Sequence, residues 1–400
     1  MKTRVAVLFG GRSVEHEVSI ITGLQAYAAL DRSKYDPIPL YISKDGRFYT
    51  GEHMGDIESY RDMKTCLEKA TRVLPVPGEN GTADLLRQPP KKFGSNLAAS
   101  FDVALPAVHG TNVEDGVLSG FLETLNVPYA GCDVLSSALG MDKYQMKAAL
   151  RQAGIPVLEA VTFTGREYAL YPEAVVERVE KLCAYPVIVK PVNLGSSVGI
   201  SRAADRPALE QAVDTALGYA GRVLVERAVP HLREINCAVL GDYETAEASV
   251  CEEPVGSDEI LSYQDKYLSS GSKKTDAGQK SGMSSLKRRL PADIPDELTE
   301  RVRELSVRTF RALNCLGVAR IDFLNDTESG ELWVNEINTI PGSLAFYLWE
   351  AAGVPFPRML DRMLDAAFKR QRERAALTFT YDTNILSGVS LGGAKGAKQG

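Results

Sequence analysis

Val5 to Phe9 is an unbroken apolar run that stops at Gly10-Gly11. A run without polar alternation reads as a strand buried inside a sheet, and the glycines let the chain turn sharply at its end. Ser13 and the residues after it then read as a helix start. Strand-like runs recur at 37–42 and 103–108 with helix-like segments between them. This alternation predicts an α/β fold built on a parallel sheet. The helix-like stretch Asp115–Leu125 is stopped by Asn126-Val127-Pro128.

The chain has 400 residues, too many for one ordinary core and enough for two or three domains. Its 44% hydrophobic and 24% charged residues are the balance of a globular protein. A formal net charge of -6 gives no global basic field, so nucleic acid is not an expected partner. The six cysteines are scattered with no C-x-x-C pair, which argues against zinc and against a disulfide scaffold and for buried thiols in a reducing compartment. The apolar stretch at the start is too short for a signal segment or a membrane span, so a cytoplasmic protein with no membrane partner is expected.

A second unit begins near Gly131. It holds a helix over Asp142–Gly154, a strand ending at Lys190 that feeds the loop Pro191–Gly199, and a strand Val223–Glu226. A third unit opens with strand-like runs at 234–241 and 244–250, joined as a hairpin at Gly241-Asp242. A long polar stretch, Ser269–Arg289, has the character of a lid or a disordered segment. Pro295 opens a helix with Leu298, Val302, Leu305 and Leu313 on its apolar positions, and strands Val318–Leu324 and Leu332–Ile337 follow. The predicted division is 1–132, 133–226 and 227–380, with a lid loop at 263–290 and a frayed tail at 381–400.

Four clusters carry possible chemistry. Arg320-Ile-Asp322 and Glu336-Ile-Asn338 are each spaced by two, so on neighbouring strands four polar groups converge on one face. Their carboxylate and amide oxygens suit Mg²⁺, and Arg320 suits a developing oxyanion. A solvent-facing strand edge accounts for the alternation equally well. Asn193 to Gly199, following Lys190, is rich in glycine and serine and can cradle a phosphate, although an ordinary turn has the same composition. Gly10 to Ser19 fits a plain helix cap, which leaves the adjacent Glu15 and His16 unexplained. Asp265-Lys266-Tyr267 precedes the polar stretch, where Lys266 can reach a phosphate or simply stay solvated.

Together these segments resemble the D-alanine–D-alanine ligases of the ATP-grasp superfamily. The matching pieces are Gly10-Gly11-x-Ser13-x-Glu15-His16-x-Val18-Ser19, His109-Gly110, Glu114-Asp115-Gly116, Met141-Asp142-Lys143, Val189-Lys190-Pro191, Gly195 to Gly199, Lys266-Tyr267, Arg320-x-Asp322 and Glu336-x-Asn338-Thr339-x-Pro341-Gly342. The resemblance implies an ATP-grasp fold behind an N-terminal Rossmann-like domain, and an enzyme that activates one D-alanine as an acyl phosphate and joins it to a second for peptidoglycan precursors. It implies ATP and two Mg²⁺ ions, with Mn²⁺ able to substitute, and a homodimer. By it, Lys143, Lys190, Ser197 and Lys266 serve the phosphates, Glu226 the adenine and Glu234 the ribose. Asp322, Glu336 and Asn338 hold the metals. Glu15 binds the first amino group and is linked to Ser196 and Tyr267, His109 lies near the first amino acid, and Arg320 with the Gly342 N–H stabilises the oxyanion. Many relatives carry a serine–leucine pair for the carboxylate of the second amino acid. Here Tyr347 and Leu348 stand at that spacing, with Ser343 as another possible ligand. A ligase with D-serine, D-lactate or another second substrate, another ATP-grasp enzyme and a non-catalytic nucleotide-binding protein are the alternatives.

Relatives that make D-alanyl-D-lactate often carry phenylalanine at the position of Tyr267, so the tyrosine favours an amine nucleophile. Tyr267→Phe is expected to admit D-lactate, detected as the mass of a D-alanyl-D-lactate product. Unchanged D-alanine kinetics with no such product would count against this placement of Tyr267.

Overall fold

The computed structural model describes residues 2–195, 197–254 and 288–380, together with 383, 384 and 387. Ser196, Lys266, Tyr267 and most of the expected lid loop lie outside the described residues.

Three sheets follow one another along the chain. The first has seven strands in the order β6-β5-β4-β3-β2-β1-β7. They are β1 (Thr3–Gly10), β2 (Tyr35–Ile42), β3 (Phe48–Thr50), β4 (Thr71–Pro77), β5 (Ala83–Arg87), β6 (Leu97–Phe101) and β7 (Val103–Pro106). The apolar β1 lies in the middle, parallel to β2 and β7. The expected parallel sheet is therefore correct only for these three strands. β3 to β6 extend it antiparallel. β4 alternates in burial and ends in proline, so it carries no continuous apolar signal.

Gly10 has φ +91°, and a Cβ there would come within 2.3 Å of the Ile42 carbonyl oxygen, so the turn requires glycine. Glu15, rather than Ser13, caps helix α1 (His16–Ala29), while the Ser13 hydroxyl accepts from the Glu15 N–H at 3.0 Å. Helices α2 (Met63–Lys69), α3 (Val117–Thr124) and α4 (Val134–Met141) follow.

Helix α5 (Lys143–Gln152) is capped by Asp142, which accepts from the N–H groups of Tyr144 and Gln145, and it ends before Gly154 at φ +67°. The second sheet has the order β10-β9-β11-β8, from β8 (Ala160–Thr164), β9 (Val187–Pro191), β10 (Ser201–Ala203) and β11 (Arg222–Arg227). Its helices are α6 (Gly165–Leu170), α7 (Pro172–Leu182) and α8 (Arg206–Leu217).

The third sheet has the order β14-β13-β12-β15-β16. Its strands are β12 (Leu232–Gly241), β13 (Ala246–Pro254), β14 (Arg288–Arg289), β15 (Gly317–Asp326) and β16 (Leu332–Asn338). The predicted hairpin is present, with Asp242 accepting from the N–H groups of Glu244 and Thr245. α9 (Asp296–Ala312) begins after Pro295 as its spacing predicts. α10 (Phe346–Ala351) and α11 (Phe356–Ala375) close the described chain. All six cysteines are buried and unpaired, as expected.

The first and third sheets share one core. Val5, Val7 and Phe9 of β1 belong to the same buried cluster as Leu240, Val318, Trp349, Met359 and Met363. Polar clasps reinforce it. Asp361 on α11 takes Lys34 at 2.6 Å and the Tyr35 hydroxyl at 2.9 Å, and Arg370 donates to the carbonyls of Tyr129 and Gly131 at 2.6 and 2.9 Å while stacking on the Tyr129 ring. Arg370→Met removes both charge-assisted bonds and the stacked cation. It is expected to destabilise the native state by about 1–3 kcal/mol, read as a lower urea midpoint. An unchanged midpoint would deny the clasp any part in stability.

Candidate functional site

β15 and β16 pair antiparallel with Arg320 opposite Asn338 and Asp322 opposite Glu336. The convergence that the two-residue spacing required is therefore present. The Arg320 guanidinium forks onto Asp322, with both nitrogen-to-oxygen distances at 2.7 Å, and the Asn338 amide donates to Asp322 at 3.0 Å. Burial disfavours the Arg320 charge, but the carboxylate of Asp322 outweighs it and holds the guanidinium firmly protonated. Glu336 is paired with Lys143 at 3.0 Å.

A cavity opens on this face. Arg320, Glu336, Asn338 and Gly342 line it from the third sheet and the turn beyond, Lys143, Leu194 and Gly195 from the middle of the chain, and Glu15, His109 and Glu114 from the first unit. Lys143 reaches it from the first turn of α5 and also donates to the Leu194 carbonyl at 2.6 Å. Asp322 meets the cavity through Arg320 and Asn338. Glu15 is brought there by its place at the head of α1.

His109 is buried among hydrogen bonds that fix its tautomer. The Ile340 carbonyl can only accept, so Nδ1 carries the proton and donates to it at 2.8 Å. Nε2 then accepts from the Thr22 hydroxyl at 2.8 Å, and the Thr22 oxygen accepts from the Ser343 N–H at 3.0 Å. Burial, helped by the charge of Arg320, depresses the imidazole to about 4, so it is neutral near pH 7.

Glu114 bridges the same two regions. Its carboxylate accepts from the N–H groups of Gly110 and Ile340, both at 3.0 Å. Burial, and then the neighbouring charge of Glu15, push its pKa up to about 8. Sequence reasoning matched Glu114 as part of a motif but gave it no role, and Thr22 left no signal because it is one more residue inside a helix.

Lys190 and Glu226 form a buried ion pair, and Lys190 also donates to the Asn335 side chain at 2.9 Å. The other oxygen of Glu226 meets Lys147 at 2.9 Å. Glu226 is only 1% exposed, so the carboxylate expected to face the adenine is turned onto two lysines instead. Burial opposes its charge, but the lysines hold it down to about 2. Lys147 was missed, although it stands four residues after Lys143 on the same helix. Glu234 lies on β12 opposite Leu324, and Ser197 adopts φ +59° in the glycine-rich loop.

The expected ligands of the second amino acid do not line the cavity. After Pro341-Gly342 the backbone makes a left-handed turn, with φ +54°, +50° and +52° at Ser343, Leu344 and Ala345, and all three are buried. The turn directs the chain into the core. Leu348 is fully buried, and the Ser343 hydroxyl is buried without a partner among the described residues. The Tyr347 hydroxyl donates to the buried Glu252 at 3.0 Å, and the Arg288 guanidinium lies 4.0 Å over its ring while binding Glu252 at 2.7 Å.

Among the described residues no three His, Cys, Asp or Glu side chains form a metal cluster. The candidate set is Asp322, Glu336 and the amide of Asn338, all oxygen donors suited to a hard divalent cation. Arg320 and Lys143 stand on those carboxylates as the positive charges that a metal would replace.

Comparison with known proteins identifies the family. The D-ala D-ala ligase N-terminus family model matches residues 4–132 and the C-terminus model residues 149–365. The chain is similar to the D-alanine–D-alanine ligase of Thermosipho melanesiensis, 37% identical over 96% of this chain and 98% of the relative. It is 36% identical to that of Acetivibrio thermocellus, over 93% of this chain and 97% of the relative. Among solved structures, the D-alanine–D-alanine ligase of Coxiella burnetii superposes with a TM-score of 0.77 at 30% identity, covering 94% of this chain and 96% of that one. VanG D-Ala:D-Ser ligase from Enterococcus faecalis superposes at 0.74, also at 30% identity, covering 92% and 100%. The three-sheet α/β architecture is accordingly the ATP-grasp fold behind its N-terminal domain, and the chain belongs to the D-alanine–D-alanine ligase family.

Proposed function

We propose that this chain is an ATP-dependent ligase that joins two D-alanines through a D-alanyl phosphate, in the making of peptidoglycan precursors. The observation that carries this reading is the meeting, in one cavity, of the Arg320–Asn338–Glu336 patch with Lys143 and with Glu15 and His109. Triphosphate chemistry needs cations on one side, and amino-acid binding needs an acid for the ammonium group. The cavity supplies both.

In this reading Glu15 takes the ammonium of the first D-alanine, whose carboxylate oxygen attacks the γ-phosphorus and displaces ADP, and the amine of the second D-alanine later displaces phosphate from the acyl phosphate with loss of a proton. The phosphoryl transfer is mostly positioning and charge neutralisation. Lys143, Lys190 and the loop at Ser197 hold the phosphates, and Glu234 holds the ribose. Asp322, Glu336 and Asn338 would hold two magnesium ions, or manganese, which would supply charge neutralisation to the transferring phosphoryl group. Arg320 and the Gly342 N–H face the tetrahedral oxyanion formed when the second amine attacks. A single strong donor of this kind is worth about 3–4 kcal/mol. Neutral His109 cannot donate charge to this oxyanion, and its bonds to Ile340 and Thr22 make it a positioning residue for the turn that carries Gly342. The reading includes Ser196, Lys266 and Tyr267 in the roles given above, domain boundaries near 132 and 226, a homodimer, and the cytoplasm as the place where ATP and the precursors are found.

D-Serine as the second substrate is the other reading to separate, because Tyr347 and its partners replace the usual serine–leucine pair and a D-Ala:D-Ser ligase is among the similar structures. Purified protein with Mg-ATP should release phosphate only when D-alanine is added and yield a product with the mass of D-alanyl-D-alanine. No dependence on D-alanine across a panel of D-amino and D-hydroxy acids would end the proposal. Asp322→Ala should lower turnover at least a thousandfold while the circular dichroism spectrum stays native, and an active variant would remove the metal assignment.

Glu114 gives a pH signature. Its folded pKa of about 8 lies above the ordinary 4.5, so the folded state holds the proton more tightly. Its contribution is complete below pH 4.5 and is lost as pH rises toward 8. The unfolding free energy of the ligand-free protein, less that of Glu114→Gln, should fall between those limits. A flat difference would contradict the buried, protonated state.

A further inference from the structure

Helix α5 presents two lysines one turn apart. Lys143 faces Glu336, and Lys147 is buried against Glu226. Glu226 also binds Lys190, so one carboxylate serves two ammonium groups in a place where all three side chains are at most 8% exposed. Adding the Lys143–Glu336 pair leaves the same balance, three cations against two anions. Burial lowers the Lys147 pKa while Glu226 opposes that shift, so an anion brought beside the lysines would favour their charged forms.

The two lysines on Glu226 are not equivalent. Lys190 has a second, neutral partner in Asn335 and stands at the end of the strand that feeds the glycine-rich loop. For Lys147, Glu226 is the only acid within 4 Å among the described residues. If Lys190 left Glu226 for a phosphate with no other cation present, a carboxylate at 1% exposure would be stranded or would take up a proton. Lys147 prevents that by staying in place.

We propose that Lys147 is a positioning residue for the nucleotide: a fixed counter-charge that holds Glu226 and so frees Lys190 to bind the triphosphate. The inference rests on the reading of the cavity as an ATP site. It assigns Lys147 no contact with ATP and no part in the chemistry.

The test is direct nucleotide binding by calorimetry, with Mg²⁺ and a non-hydrolysable ATP analogue, alongside steady-state kinetics. Lys147→Met should weaken analogue binding and raise the KM for ATP at least tenfold, because Lys190 is then retained by Glu226. The KM values for D-alanine should stay within twofold. In Lys147→Met/Glu226→Gln no buried carboxylate remains to retain Lys190, and analogue affinity should recover to within threefold of the unaltered protein. A lysine serving stability alone would lower the melting temperature without this selective loss and without the recovery. Lys147→Met binding the analogue normally, or a double variant as weak as the single one, would overturn the proposal. If the single variant does not fold, the double variant decides: normal affinity supports the proposal, and weak affinity or failure to fold leaves a purely structural ion triad. Analogue binding by the unaltered protein without dipeptide formation would instead defeat the ligase reading and leave this one standing.

Discussion

The hydrogen-bond path from the Ile340 carbonyl through His109 and Thr22 to the Ser343 N–H joins the first sheet to the turn after β16, and the cavity depends on that joint. Three consecutive non-glycine residues in the left-handed region cost roughly 1–2 kcal/mol each, so the turn at Ser343 to Ala345 persists only if its surroundings hold it. Thr22 anchors its first N–H. Glu114 anchors the N–H of Ile340 just before it, and burial of Leu344 and Ala345 in the shared core fixes the rest. The same contacts set the distance between Glu15 and Arg320, residues more than three hundred positions apart.

Several charged groups in and beside the cavity hold one another in ion pairs. Arg320 occupies Asp322, Lys143 occupies Glu336, and Lys190 occupies Glu226. Each pairing joins a residue assigned to one ligand with a residue assigned to another or facing it. In the proposed reading, magnesium and nucleotide would exchange partners rather than bury bare charges. In that reading Asp322 would give up Arg320 for a metal, which would leave Arg320 available to an oxyanion. Such an exchange would limit the desolvation cost of ligand entry.

The sequence made some of this legible and hid the rest for physical reasons. The period-two pairs on β15 and β16 were readable because strand geometry alone puts Asp322 and Glu336 on one face once the strands pair. The hairpin at Asp242, the cap at Asp142 and the turn at Gly10 carry local signals and appear where those signals lie. β3, β5 and β6 escaped because three to five residues are too short to show a clear period, and β4 because its two prolines argue against a strand inside a sheet. Thr22 and Glu252 escaped because their importance comes from tertiary partners and nothing within a few residues of either announces them, whereas Lys147 had one local cue, its place one helical turn after Lys143, but a partner from another element. Glu226 was placed correctly on its strand but its direction was not, since the lysines that turn it inward come from α5 and β9.

The substitution at Tyr347 follows from the same logic. A serine at that place would offer one small hydroxyl. The tyrosine brings a ring whose face is covered by Arg288 and whose hydroxyl is committed to Glu252, itself bonded to Asn236 at 3.1 Å. Asn236 stands opposite Asp322, and Glu252 opposite Asn236, so a polar row crosses the third sheet from the metal set to Tyr347. Burial, reinforced by Glu252, pushes the Tyr347 phenol up, so it stays protonated and keeps donating to Glu252. Its proton is then unavailable to a substrate carboxylate. Among the described residues that line the cavity, Arg320 and Lys143 are the cations that could meet that carboxylate instead. In the proposed reading the second amino acid would therefore depend on two cations already engaged within the site, Arg320 by Asp322 and Lys143 by Glu336.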